Sequence, residues 1–150
     1  MKPRQIKAFV RYCGLLGTVL AGACAFPGDR PPSPLIGNWS TQEHNQVTFR
    51  DDTVVITPDK GKPMTMGPGE CNGLYKLQYG RMMTASLQQS FPSQPDLQSK
   101  LKQLLNQPEY PVADVTCDHG GTTYMMLDDR RMIAVYRDSG VGGVEAYSRL

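Results

Sequence analysis

The chain has 150 residues, 39% hydrophobic, 20% charged and 8% aromatic, with 15 Gly and 12 Pro, a length that suits one domain and an apolar share too high for disorder. Its 16 Lys and Arg against 14 Asp and Glu give a formal charge of +2, and without a basic block the electrostatic footprint of a nucleic-acid binder is missing. No apolar run reaches the roughly 18 residues that a mature membrane-spanning helix needs.

The first 23 residues differ in kind from the rest. Lys2, Arg4, Lys7 and Arg11 lead into an apolar run, Cys13 to Ala23, that ends in small residues. This reads as a secretory signal peptide over residues 1–23. Gly14, Gly17 and Gly22 argue against a packed core helix there. Removing it takes four basic and no acidic residues, leaving 12 basic against 14 acidic and a net charge of −2. Leu20-Ala21-Gly22-Ala23-Cys24 resembles a bacterial lipobox. In that family the Cys is diacylglycerylated and becomes the new N-terminus, which the match implies for Cys24. Ala21 stands where the family prefers a larger aliphatic residue. Ala21-x-Ala23 and Ala23-x-Ala25 also fit ordinary small-residue cleavage, which would release a soluble periplasmic or secreted protein. The lipoprotein is the expectation taken forward. Ala25, in place of an inner-membrane-retaining Asp, implies the periplasmic face of the outer membrane.

Residues 24–34 then form the lipid anchor and an extended tether, with four prolines and little to bury, and the globular domain spans 35–150. Leu35 to Ser40 enters a first strand carrying the only Trp. Val47 to Phe49 and Thr53 to Thr57 flank Arg50-Asp51-Asp52 as a β-branched hairpin, and Pro58 stops the second strand. Lys60 to Gly69 is rich in turn residues. Gly73 to Tyr79 resumes alternation, with Tyr75, Leu77 and Tyr79 on one face. Leu97, Leu101, Leu104 and Leu105 follow helical spacing within Asp96 to Gln107, bounded by Pro95 and Pro108, and a shorter helical turn fits Thr84 to Gln89. The last forty residues read as a meander: Val112 to Cys117, Thr122 to Leu127, Met132 to Arg137 and Val144 to Arg149. Met132, Ala134 and Tyr136 oppose Ile133 and Val135. That strand is apolar on both sides, so one sheet face meets the core and the other a helix, or the sheet closes round a lined cavity. The expected fold is mainly β: an antiparallel small barrel or curved sheet with one inserted α-helix and one disulfide.

The disulfide follows from counting. Cys13 leaves with the leader, lipidation occupies Cys24, and Cys71 and Cys117 remain as the one possible pair in an oxidising compartment. Closing a loop of roughly 50 residues contributes about 4 kcal/mol in the chain-entropy model. The competing reading is a reactive Cys117 thiol beside Asp118 and His119. Neighbours on a strand point to opposite faces, however, and catalytic Cys and His partners usually come from distant positions.

Gly37-Asn38-Trp39 looks like the G-x-W at the first strand of lipocalins and the wider calycin group, small antiparallel barrels that hold apolar ligands. In that family the Trp closes one barrel end beneath a basic residue from the final strand, which implies the pair Trp39 and Arg149. The Leu97 helix departs from the simple lipocalin strand order. Gly69 to Tyr75 is similar to the G-C-N-x-Y-x-G-x-Y segment of small META-domain envelope lipoproteins, in a shorter form lacking the first Tyr. Both resemblances imply a compact β domain in the bacterial envelope, and neither brings catalytic residues.

Other chemistry is weakly represented. His44, His119, Cys71 and Cys117 lack the close ligand pairs of a zinc site, so no metal or cofactor is expected. Asp118, the Asp128-Asp129 pair, Asp138 and Glu145 offer acid/base candidates, but turns favour Asp for its side-chain bonds to nearby amides. No G-x-S-x-G, P-loop, H-E-x-x-H or G-x-G-x-x-G occurs, and Gly140 to Gly143 precedes a strand where a phosphate loop needs a helix. Eight Met fill core gaps or line adaptable surfaces. Of the tyrosines at 75, 79, 110, 124, 136 and 147, half belong in the core and the others rim a binding face.

The expected function is thus an exported, lipid-anchored binding module, touching the membrane through its anchor. It takes either an apolar small molecule in a Trp39-capped cavity or an envelope protein partner, through Trp39, Tyr75, Tyr79, Tyr136 and Arg149. The alternatives are a cell-wall-directed hydrolase using Asp118, His119 and the Asp128 pair, and a purely structural lipoprotein.

Overall fold

The computed structural model describes residues 32–118, 120–138 and 141–150. The leader, Cys24, the tether up to residue 31 and His119 lie outside them. Along the chain come β1 (Gly37–Ser40), β2 (Gln46–Phe49), β3 (Val54–Thr57), β4 (Met64–Met66), β5 (Lys76–Met83), α1 (Thr84–Gln89), α2 (Pro95–Leu104), β6 (Glu109–Cys117), β7 (Gly120–Met126), β8 (Arg131–Asp138) and β9 (Val141–Arg149). A short 3-10 turn at Cys71–Gly73 precedes β5.

Among the described residues the strands form one antiparallel sheet in the order β4-β3-β2-β1-β9-β8-β7-β6-β5. Every strand lies beside its neighbour in sequence, with two exceptions that define the architecture. β1 pairs with β9, placing Trp39 opposite Arg149. β4 and β5 are consecutive in the chain yet share no ladder. The sheet is therefore a meander curled into a half-barrel, joined at β1/β9 and open along a single seam. Short loops between antiparallel neighbours favour this order, because each hairpin closes with little loss of entropy.

The two faces of the sheet bury two different cores. On the concave side Leu35, Trp39, Val47, Phe49, Val54, Tyr75, Ala113, Val115, Tyr124, Met132, Ala134 and Tyr147 pack together. The strand register explains how large rings fit. Tyr79, Ala113, Tyr124, Ala134 and Glu145 lie in one row across β5 to β9. An Ala on each side of Tyr124 leaves room for its ring, which Phe49 meets edge-on at 4.8 Å and Tyr147 at 6.2 Å between centroids.

On the convex side Val112, Met125, Ile133 and Val135 pack against Leu87 of α1, Phe91, and Leu97, Leu101 and Leu105 of the α2 segment. Both faces of β8 are thus buried, Met132 and Ala134 inward and Ile133 and Val135 against helices, as its doubly apolar sequence requires. Pro95 opens α2 with Asp96 in the first turn, and Lys102 lies in the last, each on the side that the helix dipole favours. Beyond the helix, the buried Tyr110 hydroxyl accepts the backbone N–H groups of Asn106 and Gln107, both at 2.8 Å, and so satisfies the turn back to β6. Where α2 approaches β9, Gly142 donates its N–H to Gln94 Oε1 at 2.9 Å. A side chain at Gly142 would meet Leu97 at 2.6 Å and Phe91 at 2.9 Å.

The structure has two helices where one was expected outright; the second is the short Thr84–Gln89 turn. It also adds β4 inside the turn-rich Lys60 to Gly69 stretch. No helix among the described residues is long and apolar enough to cross a membrane.

Candidate functional site

Trp39 and Arg149 meet at one end of the curled sheet. Trp39 is fully buried and donates its indole N–H to the Leu35 carbonyl at 2.9 Å. The Arg149 guanidinium lies 4.4 Å from the ring centre, and its Nη2 donates to the Pro34 carbonyl. Gly37 takes φ +130°, a conformation that L side chains rarely adopt, and its α-carbon faces Arg149 Nη1, 3.5 Å from where a Cβ would stand. The Gly of Gly37-Asn38-Trp39 thus has a local reason: it lets the chain turn into β1 beneath the arginine.

The remaining candidates do not converge on that pair. Tyr75 and Tyr79 stand on the far side of the concave face, at the seam. Tyr79 donates its hydroxyl to the Arg50 carbonyl across the seam and packs against Phe49 at 6.5 Å. Its pKa is pushed up to about 12, first by burial and then by Tyr75, Asp51 and Asp52. Tyr75 is 9% exposed, and its hydroxyl is buried without a hydrogen-bond partner among the described residues. Burial, with the Asp52 charge, raises its pKa as well. Tyr136 is 42% exposed and covers Gly143 on β9. It sits five strand residues from Arg131, which pairs with Ser148 beside the Trp39 end, about 17 Å away along β8.

Between these points the concave face carries Tyr124, Tyr147 and Glu145. Tyr147 donates to Glu145 Oε2 at 2.7 Å. Burial first, and then this bond to a carboxylate, raise the Tyr147 pKa. Burial and the Glu145 charge push Tyr124 up to about 12. All these hydroxyls are held neutral far above physiological pH, so they act as packing and hydrogen-bonding groups and not as acids.

Cys71 and Cys117 form a disulfide, 5.5 Å apart at their α-carbons and 46 residues apart in sequence. It ties the turn before β5 to the end of β6, and Asn72 Nδ2 reaches Asp118 Oδ2 at 3.4 Å beside it. Both sulfurs are thereby committed. Among the described residues no three His, Cys, Asp or Glu side chains gather to hold a metal ion.

Asp128 is likewise occupied. Its carboxylate accepts the N–H groups of Arg130 at 3.0 Å and Arg131 at 2.8 Å, and Arg131 Nε closes an ion pair at 2.6 Å. The Arg130 backbone bond, followed by the Arg131 side chain, lowers its pKa. This is a turn-stabilising aspartate of the kind the sequence suggests.

One feature escaped sequence reasoning: a cleft of about 470 Å³ lined by Asp128, Asp129, Arg130, Arg131, Ser148 and Arg149. It joins the β7–β8 turn to the end of β9. Only the lengthwise pairing of β8 with β9 brings those residues together, and the basic spacing Arg130, Arg131 and Arg149 was the sole hint.

No family model, curated protein or solved structure matches the chain.

Proposed function

We propose that the chain is an exported, lipid-anchored envelope protein whose β domain binds a protein partner on its outside, at the seam between β4 and β5. The observation that carries this reading is the contrast between the inside and the edges of the sheet. The concave face is filled by its own side chains, with Trp39, Phe49, Val54 and Met132 at most 1% exposed. Among the described residues the outer edges of β4 and β5 carry backbone groups with no ladder partner, and Met64 and Leu74 stand out beside them, 54% and 51% exposed. An open edge of eight residues such as β5 is a template for an added strand. Flexible Met on its rim suits adaptable apolar contact. The leader-like N-terminal sequence, the lipobox-like Cys24 and the Cys71–Cys117 disulfide support a reading in which this binding occurs in an oxidising envelope.

Site-specific photo-crosslinking tests it. A photoreactive residue at Gln78, exposed on β5, captures one defined protein in the living envelope, whereas the same residue at Lys100 on the outer side of α2 does not. Equal capture at both positions, or none at Gln78, contradicts the proposal. Palmitate labelling of the wild type, lost in Cys24→Ala, tests the anchor separately.

A further inference from the structure

The cleft at the Trp39 end holds three guanidinium groups, and their commitments differ. Arg131 is neutralised by Asp128. Arg149 is fixed in place by the Trp39 ring and the Pro34 carbonyl. Arg130 has its backbone pinned on both sides, its N–H to Asp128 and its carbonyl to the N–H of Arg149 at 2.9 Å. Its side chain has no ion pair or hydrogen bond among the described residues. The backbone bond sets Arg130 and Arg149 side by side, two like charges lining one cleft with Ser148 and Asp129. With Arg131 paired to Asp128, two guanidiniums against the single Asp129 carboxylate leave the cleft with an excess positive charge, which a bound anion offsets. Planar guanidinium forks are the side chains best matched to phosphate oxygens. Ser148 and the Asp129 carboxylate add partners for hydroxyl groups.

We infer that this cleft binds the phosphate of a polyol headgroup in the membrane that holds the anchor: the Arg130 and Arg149 guanidiniums take the phosphate oxygens, and Asp129 and Ser148 take the polyol hydroxyls. The choice of a membrane source rests on the proposed lipidation of Cys24. Ten residues separate Cys24 from Pro34, at most about 36 Å when fully extended, and Pro34 is bonded to Arg149 of the cleft itself.

The test is a titration of the full mature protein, labelled on its arginine side chains and followed by the Nε–H signals in nuclear magnetic resonance. The titrants are short-chain phosphatidylglycerol, short-chain phosphatidylcholine, glycerol phosphate and inorganic phosphate. Phosphatidylglycerol is expected to move the Arg130 and Arg149 signals saturably, about tenfold more tightly than the other three, with binding that weakens as salt is raised. Arg130→Gln, a change at an exposed side chain, lowers that affinity tenfold or more while leaving the backbone spectrum in place. Glycerol phosphate binding as tightly as phosphatidylglycerol overturns the membrane source, and inorganic phosphate or phosphatidylcholine binding equally well overturns the polyol assignment. The absence of a saturable shift, or an unchanged affinity in Arg130→Gln, overturns the site. None of these results bears on crosslinking at Gln78 or on palmitate labelling, so failure here and failure of the proposed function are told apart.

Discussion

The Arg149 guanidinium lies 4.4 Å above the centre of the Trp39 ring, and this contact joins the first strand to the last. The pair closes one end of the curled sheet, and the bond from Arg149 to Pro34 fastens the incoming chain to the same spot. A cation over an indole contributes about 0.5–1 kcal/mol at an exposed site and about 2 when desolvated. Arg149→Met, which keeps an apolar stem over the ring, is expected to cost about 1 kcal/mol in chemical denaturation and to shift Trp39 emission to the red. An unchanged unfolding midpoint would show that the contact is incidental.

The disulfide closes a span of 46 residues, which corresponds to about 4 kcal/mol of denatured-state entropy. The double variant Cys71→Ser, Cys117→Ser is therefore expected to unfold at clearly lower denaturant and temperature than the oxidised protein. Reduction of the wild type should reproduce the shift, and adding reductant to the double variant should do nothing.

Two adjacent glycines on β9 face opposite ways and predict different costs. At Gly142 a methyl group would press into Leu97, Gln94 and Phe91, all within 3.0 Å, where the helical layer is packed. At Gly143 it would fall within the ring of Tyr136, which is 42% exposed and free to swing outward. Overpacking costs about 1–3 kcal/mol. Thermal unfolding of Gly142→Ala should show the larger loss, with Gly143→Ala near the bottom of that range.

Much of this layout is legible from residue pattern alone. The doubly apolar Met132 to Tyr136 announces a strand buried on both faces, and the Leu97, Leu101, Leu105 spacing announces α2. The reading fails where pairing overrides local preference. Met64-Thr65-Met66 has no β-branched run and lies among turn residues, so β4 exists because β3 offers it a ladder. Gly80 interrupts the alternation after Tyr79, yet β5 continues to Met83 because β6 runs alongside as far as Glu109. The seam and the arginine cleft were invisible for a related reason: each depends on which distant strands fail to pair or do pair. The contact of Trp39 with Arg149 joins the first strand to the last, and strand alternation alone does not pair residues so far apart in the chain.

Alkaline stability follows from the tyrosines. Tyr79 and Tyr124 titrate near 12 in the fold against about 10 in an unfolded chain. The folded protein therefore holds protons that the unfolded chain has released between those values, and stability falls as pH rises through that window. Below about pH 10 the contribution is fully present. Tyrosinate absorbance should lag behind that of free tyrosine and then rise together with loss of the fold. In Tyr124→Phe the fall between pH 10 and 12 should be shallower; an identical slope would place the buried hydroxyl elsewhere.

The concave face is filled by its own side chains, which leaves the outside of the sheet for the proposed binding. The decisive measurement is a titration of the purified protein with an uncharged apolar fluorophore, read through energy transfer from Trp39. No saturable response is expected, because Trp39 and its neighbours leave the probe no place to enter. Saturable one-to-one quenching, abolished when Ala134 beside Tyr124 is enlarged to Leu, would establish an interior ligand cavity and contradict a filled core.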